Sequence, residues 1–331
     1  MGNFRKALNS YTSNYSVSNN MCECDAERVA CTHNGRINVD VVYATATLIM
    51  CGVKHIMRTG NLKDAKSLAD SIIYDIGGDT YDCHYNSLFR DTGVKVSTFG
   101  LIWADFGKEA VEKACQILHE GETYGSEIIM NIVESIESTI VRRVDELTFE
   151  EEYESEKDLF YLMEMLNSSD DDSIPRDDND NDRFTIAVNI AIANILSTID
   201  RIFESEVTRY YVERQVIEST ILKGQVLILT RPAPFKRTIE NLSKTQTQTG
   251  CLSDLEIAAR QIKFVISPSN PGGYIISTIK DQSDKTRAAS TTRKGLTYEL
   301  IDGVTFNQSH DIARVHTLPA AIQLCEKSLE E

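Results

Sequence analysis

The feature that most constrains the fold is an alternation of strand and helix signals through the first half of the chain. Three short apolar runs, "RVACTHNG" at 28–35, "HIMRTG" at 55–60 and "SIIYDIGG" at 71–78, are typical of buried strands. Between them, "VDVVYATATLIMCG" at 39–52 and "NLKDAKSLAD" at 61–70 have helical apolar spacing. Strands that alternate with helices form a mostly parallel sheet with helices on both faces. The sequence therefore predicts an α/β domain.

The second half of the chain predicts a smaller unit. Amphipathic segments at 100–121 and 126–147 are followed by a nearly continuous helix signal at 184–222. A strand "QVLILT" and the hairpin "IKFVISPSNPGGYIISTIK" then indicate an α+β domain. The predicted organisation is a flexible tail at 1–28, an α/β domain at 29–166, an acidic insert or linker at 167–183, a long connecting helix at 184–224 and an α+β domain at 225–331.

The negative charge is concentrated in one segment. Residues 145 to 182 hold sixteen Asp and Glu against Lys157 and Arg176, a net charge of −14 out of −16 for the whole chain. The rest of the chain is therefore nearly neutral, and the total charge does not exclude a nucleic-acid partner. The same segment could instead engage a basic protein partner.

Compartment and membrane association are constrained by what the sequence lacks. No apolar run reaches the roughly 18 residues that span a bilayer, so we expect no membrane partner. The eight cysteines are scattered and follow no secretory signal. Reduced thiols in an intracellular protein, most simply a cytoplasmic one, are the expectation.

Polar residues follow the predicted strands at the points where those strands end. They are His33, Asn38, Asp40, Asp75, Asp82, Cys83 and His84. Because ligands of parallel sheets bind at the carboxyl ends of the strands, we expect a shared site there. Carboxylates and imidazoles from several loops are ligands for divalent cations such as Mn²⁺, and two cations could activate water against a phosphodiester. The residues alone leave ordinary loop chemistry open as the alternative.

The order of these motifs resembles a known family. "THNG" with Asp40, "DIGG" at 75–78, "YDCHYNSLF" at 81–89 and "GLIWADFG" at 100–107 resemble the melanocyte-proliferating-gene (Myg-type) family. That family comprises DHH-like metal-dependent phosphoesterases, described as 3′→5′ exoribonucleases of the nucleus and mitochondrion. The resemblance covers residues 29–149 and 184–330. It implies a DHH-like parallel-sheet domain joined by long helices to the α+β domain, and it adds the nucleus or mitochondrion as compartments.

Several positions depart from the family pattern. Asn38 stands where the family has a His, Val41 where it has a Glu, and Cys83 where its Asp-His-His has a His. The family's Asp-Asn-Gly after the long helix has no counterpart, and "SHDIAR" at 309–314 replaces a glycine-rich loop. Residual metal-site candidates are His33, Asp40, Asp75, Asp82 and His84. Because sulfur is a poor ligand for Mn²⁺ and Mg²⁺, we expect at most one such cation and name no catalytic residue.

A binding role is the expectation for a decayed phosphoesterase. We expect RNA or a ribonucleoprotein, such as the ribosome, as the partner, and the oligomeric state stays open. Candidate phosphate contacts are the basic residues Arg260, Lys263, Lys280, Lys285, Arg287, Arg293 and Lys294. Two alternatives remain, a residual Mn²⁺-dependent exoribonuclease or phosphoesterase and a protein–protein scaffold that uses the acidic segment.

Overall fold

The chain folds into two compact units, Met1–Glu204 and Ser205–Glu331. The computed structural model describes residues 2–19, 28–68, 70–78, 80–122, 124–150, 159–167, 178–244, 252–279, 296, 303–308 and 311–330. The elements up to the end of the long helix are α1 (Gly2–Thr12), β1 (Ser16–Ser18), β2 (Val29–Thr32), α2 (Val39–Met50), β3 (His55–Arg58), α3 (Leu62–Lys66), β4 (Ile72–Ile73), α4 (Thr98–Leu118), α5 (Ser126–Ile136), a π-helical turn (Glu137–Val141), α6 (Arg142–Glu150), α7 (Leu159–Glu164) and α8 (Asp178–Glu218). Those that follow are β5 (Thr220–Ile221), β6 (Val226–Ile228), α9 (Lys236–Lys244), α10 (Asp254–Gln261), β7 (Phe264–Pro268), β8 (Tyr274–Thr278), β9 (Thr305–Phe306), β10 (Ile312–Val315) and α11 (Leu318–Glu330).

The first unit is built on a parallel sheet with the strand order β1-β3-β2-β4. β3 pairs with β1 and with β2 in parallel, and β2 pairs with β4 in parallel. Ala30, Cys31 and Thr32 are consecutive in β2, and all three are fully buried. Because successive strand residues point to opposite faces, this burial means that both faces of the sheet are covered. The predicted α/β class is confirmed.

Helices α2 and α4 pack against each other in this unit. Every residue of α2 is buried, which explains why its sequence is apolar all round rather than along one stripe. α4 buries an apolar face that includes Phe99, Ile102 and Trp103. Its N-cap is Ser97, whose hydroxyl accepts a hydrogen bond from the backbone N–H of Gly100.

The prediction of a flexible tail over 1–28 is wrong for residues 2–19. α1 packs on α4, buries Ala7 and Tyr11, and is held by a 3.0 Å hydrogen bond from Asn3 Nδ2 to the carbonyl of Leu118. β1 then adds an edge strand beside β3. The many Ser and Asn residues suggested a tail, but Ala7 and Tyr11 are four residues apart and therefore lie on one face of a helix.

The predicted boundaries around the long helix also need correction. α8 contains 41 residues and begins at Asp178, so the acidic insert predicted at 167–183 ends earlier than expected. Residues 168–177 lie outside the described part. The boundary between the two units falls within this helix, after Glu204, and the helix spans Asp178–Glu218 rather than the predicted 184–224. Phe184, Val188 and Ile195 are among its buried residues.

One helix, α8, is long and apolar enough to cross a membrane by length and composition. The stretch Asp180–Glu218 has a mean hydropathy of 1.5 over its best window, and 44% of that window is buried inside the protein. A core helix of a folded domain passes the same test, so this finding leaves the expected absence of a membrane partner a prediction.

The second unit contains a mixed sheet with the order β5-β6-β7-β8-β10-β9. The predicted hairpin is present, because β7 and β8 pair antiparallel from Phe264↔Thr278 to Pro268↔Tyr274. Gly273 closes its tip with a φ of +76°, and a Cβ there would lie 2.4 Å from the carbonyl oxygen of Val315. The stretch predicted as a decayed loop at 309–314 is partly strand, since β10 begins at Ile312, while Ser309 and His310 lie outside the described residues.

Candidate functional site

The polar residues predicted at the strand ends lie around the N-termini of α2 and α4. His33 follows β2, and Asp40 lies in the first turn of α2. Asp75 follows β4, and Thr98 is the first residue of α4. Parallel strands bring their carboxyl ends to one edge of the sheet, which is why distant segments meet here.

Asp75 is the most constrained carboxylate of the group. Its φ is +54°, in the left-handed region that non-glycine residues rarely adopt. One oxygen lies 2.9 Å from His33 Nε2, and the other accepts a 3.2 Å hydrogen bond from the Thr98 hydroxyl. Burial acts to raise the pKa of Asp75, but the interaction with His33, aided by His84 and Thr98, outweighs it and holds that pKa below its ordinary value.

His33 is held in the tautomer that donates to Asp75. Its Nδ1 accepts a 2.9 Å hydrogen bond from the backbone N–H of Gly35, so that nitrogen carries no proton. The ring proton therefore lies on Nε2, which faces the Asp75 carboxylate. A Cβ at position 35 would lie 2.8 Å from Nδ1, which explains the glycine there. With both nitrogens engaged, His33 orients Asp75 and offers no free lone pair to a metal.

Asp40 is fully enclosed beside Cys83. One oxygen accepts a hydrogen bond from the backbone N–H of Val41, and the other lies 3.9 Å from Cys83 Sγ. Burial, followed by the charge of Asp75, raises the pKa of Asp40 to about 7. Burial likewise raises the pKa of the Cys83 thiol, to about 12.

Asp82 is not among the described side chains whose ligand atoms converge, although the sequence includes it in the motif. Its two oxygens accept 2.9 Å hydrogen bonds from the backbone N–H groups of Gly78 and His84. The side chain is buried and closes its own loop. Its role here is to satisfy backbone donors.

Three other side chains do converge. The ligand atoms of Asp75, Cys83 and His84 all lie within 4.8 Å of one another. Asp75 and Cys83 are buried, whereas His84 is exposed and gives the group access to solvent. Asn38 occupies the N-cap position of α2 but makes no capping hydrogen bond, and Val41 is buried and apolar.

The basic residues predicted to contact phosphate are only partly described. Arg260 lies in the last turn of α10 and is exposed, and Lys263 is half-buried just before β7. Lys280, Lys285, Arg287, Arg293 and Lys294 lie outside the described residues.

A second polar group, which the sequence reasoning missed, adjoins the first at the start of α4. Asp145 is fully buried, and one of its oxygens accepts hydrogen bonds from the backbone N–H and the hydroxyl of Ser97. Its other oxygen accepts a 2.7 Å hydrogen bond from Arg90 Nε. Arg90 also pairs with Glu137 in the π-helical turn. The sequence feature that could have indicated this group is the acid in "VRRVDEL", which follows the second amphipathic segment.

Arg90 opens onto a cavity of about 420 Å³. Its lining comprises Arg90, Thr92, Val94, Ser138, Thr139, Arg142, Arg143 and Glu146. Arg90 Nη2 and Arg142 Nε are buried and have no hydrogen-bond partner within the described part of the chain. The ion pairs from Arg142 to Asp91 and from Arg143 to Glu146 are both long, at 3.5 Å. We call this set of residues the arginine cavity.

The residues present do not fit the pair of Mn²⁺ ions that the resemblance implies. Asn38 offers only a neutral amide oxygen, and His33 has no free lone pair. Cys83 offers sulfur, which Mn²⁺ and Mg²⁺ disfavour, and Val41 offers no ligand atom. Too little oxygen and nitrogen ligation remains to hold two hard cations side by side.

Comparison with known proteins gives one match. A family model described as MYG1_exonuc, Uncharacterised protein family (UPF0160), matches residues 29–327. The matched range contains the arginine cavity and the strand-end group, by which we mean His33, Asn38, Asp40, Asp75, Asp82, Cys83 and His84. Neither the curated proteins nor the solved structures that were searched gave a match.

Proposed function

Since the chain belongs to the MYG1 exonuclease family, we propose that it is a non-catalytic member that binds RNA, free or within a ribonucleoprotein such as the ribosome. The two halves of this proposal rest on different observations. The lack of catalysis rests on the strand-end group, and the binding of RNA rests on the arginine cavity.

The ligand set of the strand-end group carries the first half. Two-ion hydrolysis of a phosphodiester needs carboxylates that are free to bind and bridge the cations. Asn38 and Val41 stand where the family pattern has a His and a Glu, so a neutral amide and an apolar side chain replace two of the expected ligands. With Cys83 in place of a nitrogen ligand, the remaining groups do not supply a competent pair.

The arginine cavity supports the second half. Guanidinium groups recognise phosphate because their planar N–H donors match its oxygens, and three of them face one cavity here. Arg90 Nη2 and Arg142 Nε are buried donors without a described partner, and such groups gain by binding an anion. Glu146 lines the same cavity, and three further acids, Glu137, Asp145 and Asp91, pair with Arg90 and Arg142. These acids oppose anion binding, which predicts modest affinity with strong salt dependence.

Binding of a 5′-labelled single-stranded RNA, followed by fluorescence anisotropy between ~50 and ~200 mM salt, tests the proposal. We expect the dissociation constant to rise steeply with salt. Arg142→Glu should weaken binding, and Arg142→Ala should lower the slope of log affinity against log salt by about 0.7, as for one lost phosphate contact on a single strand. Arg214→Glu and Arg214→Ala, at an exposed arginine of α8, are the matched controls and should change little.

The same RNA, incubated with the protein and Mn²⁺, tests the lack of catalysis. We expect no shortening of the RNA. Shortening that disappears in Asp75→Ala would restore the residual exoribonuclease and overturn the first half. Absence of RNA binding, or equal effects at Arg142 and Arg214, would overturn the second. Binding of a basic protein that is lost only on deleting 167–182 would favour the scaffold alternative.

A further inference from the structure

The strand-end group retains ligand atoms of three kinds, one from each of three side chains. Asp75 supplies a carboxylate oxygen, Cys83 a sulfur and His84 an imidazole nitrogen, all within 4.8 Å of one another. In a tetrahedral zinc site, ligand atoms lie roughly 3.3–3.6 Å apart, as follows from Zn–N and Zn–O distances near 2.0 Å and Zn–S near 2.3 Å. A closure of about 1 Å would therefore bring the three onto one ion.

The mixture of ligand types selects among metals. Thiolate favours Zn²⁺ and other borderline or soft ions over Mn²⁺ and Mg²⁺, while imidazole and carboxylate are acceptable to zinc. We propose that Asp75, Cys83 and His84 bind a single Zn²⁺ ion, so that the exchange of a family His for Cys83 has changed the metal preference of the site rather than only weakened it.

The surroundings of the three side chains support such a site. His33 and Thr98 donate hydrogen bonds to opposite oxygens of Asp75, and this is the kind of support that orients a metal-binding carboxylate. Cys83 is fully buried, so its sulfur is shielded from competing reactions, whereas His84 is exposed and leaves a path for the ion. A further carboxylate oxygen, on Asp40, lies 3.9 Å from Cys83 Sγ.

This inference goes beyond the proposed function and does not depend on RNA binding. It also assigns His33 a positioning role, because its Nδ1 accepts the N–H of Gly35 and its Nε2 proton faces Asp75. A zinc ion on Asp75 would leave both of those hydrogen bonds intact. A cation bound by His33 itself would break one of them.

Cobalt binding to the full-length protein tests the proposal directly. Co²⁺ replaces Zn²⁺ in such sites and, when bound by thiolate, gives a charge-transfer absorption band that oxygen and nitrogen ligands do not give. The protein is stripped with a chelator and titrated with Co²⁺, and the bound ion is then displaced with Zn²⁺ or Mn²⁺. We expect one ion per chain, a thiolate band, and displacement by Zn²⁺ at least ~10-fold more readily than by Mn²⁺.

Variants assign the band to individual residues. Cys22, Cys24 and Cys251 lie outside the described residues, so the titration is done in a background in which all three are replaced by Ser. Cys83→Ser should abolish the band, and Cys115→Ser, which alters another fully buried thiol of the first unit, should keep it. His84→Ala changes an exposed residue and should weaken cobalt binding even if Cys83→Ser fails to fold. His33→Ala should keep the band and lower affinity about 10–100-fold, as expected of a positioning residue.

Other results would overturn the proposal. These are a band that persists in Cys83→Ser, a band that is lost equally in Cys115→Ser, or binding of Mn²⁺ as tight as that of Zn²⁺. Binding of no ion would also overturn it. The anisotropy assay separates this outcome from the proposed function, because Cys83→Ser is expected to bind RNA as the unmodified chain does.

Discussion

Asp82 and Asp75 are buried carboxylates of the same loop, but their surroundings give them different chemistry. Asp82 accepts only backbone N–H groups, which fixes the turn that contains Gly77 and Gly78, both at positive φ. Asp75 accepts two side-chain donors and has His84 and Cys83 nearby. Asp82 stabilises the loop, whereas Asp75 also lies beside two other ligand atoms.

Asp82→Asn tests this distinction. The amide retains one acceptor oxygen and places an NH₂ group against a backbone N–H of Gly78 or His84, so one partly buried donor loses its charged partner. We expect the free energy of unfolding to fall by about 1–3 kcal/mol, measured by urea denaturation. Asp64→Asn, at an exposed position of α3, should change it by less than ~0.5 kcal/mol. Equal stabilities would show that the Asp82 hydrogen bonds contribute nothing.

The sequence could indicate the strand-end group but not the use of each member. Asp75, Cys83 and His84 follow a recognisable strand, and the strand-end rule places such residues at one edge of the sheet. The bonding of Asp82 depends on positive φ values at two glycines, and the tautomer of His33 depends on the position of the Gly35 N–H. Arg90 and Asp145 are 55 residues apart, and no local pattern connects them.

Among the elements, α4 acts directly on the site, because its N-cap and its first residue serve two polar groups. Ser97 binds Asp145, and Thr98 binds Asp75. Gly100, one turn in, lets Asp145 and Arg90 approach the helix. A Cβ there would lie 2.6 Å from Val96 Cγ1, 2.8 Å from Asp145 Oδ1 and 2.9 Å from Arg90 Nη2.

Gly100→Ala is therefore expected to lower the stability, whereas most Gly→Ala changes in helices raise it. In an open helix the change from Gly to Ala stabilises by about 1 kcal/mol, but here the contacts should make it destabilise by ~1–3 kcal/mol. Gly107→Ala is the matched control on the same helix, since its Cβ would meet the Trp103 ring at 2.7 Å. Thermal unfolding should show a loss in both variants, and only Gly100→Ala should also weaken RNA binding. Stabilisation by Gly100→Ala would contradict the packing described here.

At the scale of the whole molecule, the first unit depends on its N-terminal residues. α1 lies on α4, and β1 covers the outer edge of β3, which would otherwise present unpaired backbone groups. Tyr15 extends this anchoring, because its hydroxyl bonds Asn189 of α8 at 2.9 Å.

Deletion of residues 1–19 should therefore destabilise the first unit. Loss of the buried Tyr11 and Ala7 contacts should cost about 3 kcal/mol, which lowers Tm by roughly 6–12 °C for a unit of this size. The exposed edge of β3 should also promote aggregation, measurable by light scattering. Lys6 also lies in α1 and forms an exposed ion pair with Glu120. Lys6→Ala removes this pair and should shift Tm by less than ~2 °C. An unchanged Tm on deletion would refute this role.

The fold at this scale was largely predictable, and the exceptions have physical causes. The parallel sheet, the buried α2 and the β7–β8 hairpin follow from apolar periodicity and turn residues. α1 and β1 were missed because tertiary contacts to α4 and β3 stabilise segments that are short and polar on their own. The start of α8 was missed because its first turn is rich in Asp, which signals a linker but is also favourable at a helix N-terminus.

The strand order β1-β3-β2-β4 also determines when β1 can pair with its neighbour during synthesis. β1 leaves the translation machinery first, yet its only strand neighbour in the described sheet, β3, is made about 40 residues later. At ~5–20 residues per second, β1 waits roughly 2–8 s before it can pair. During that interval α1 and β1 depend on their own polarity to stay soluble, which gives their many Ser and Asn residues a purpose that the finished fold does not reveal.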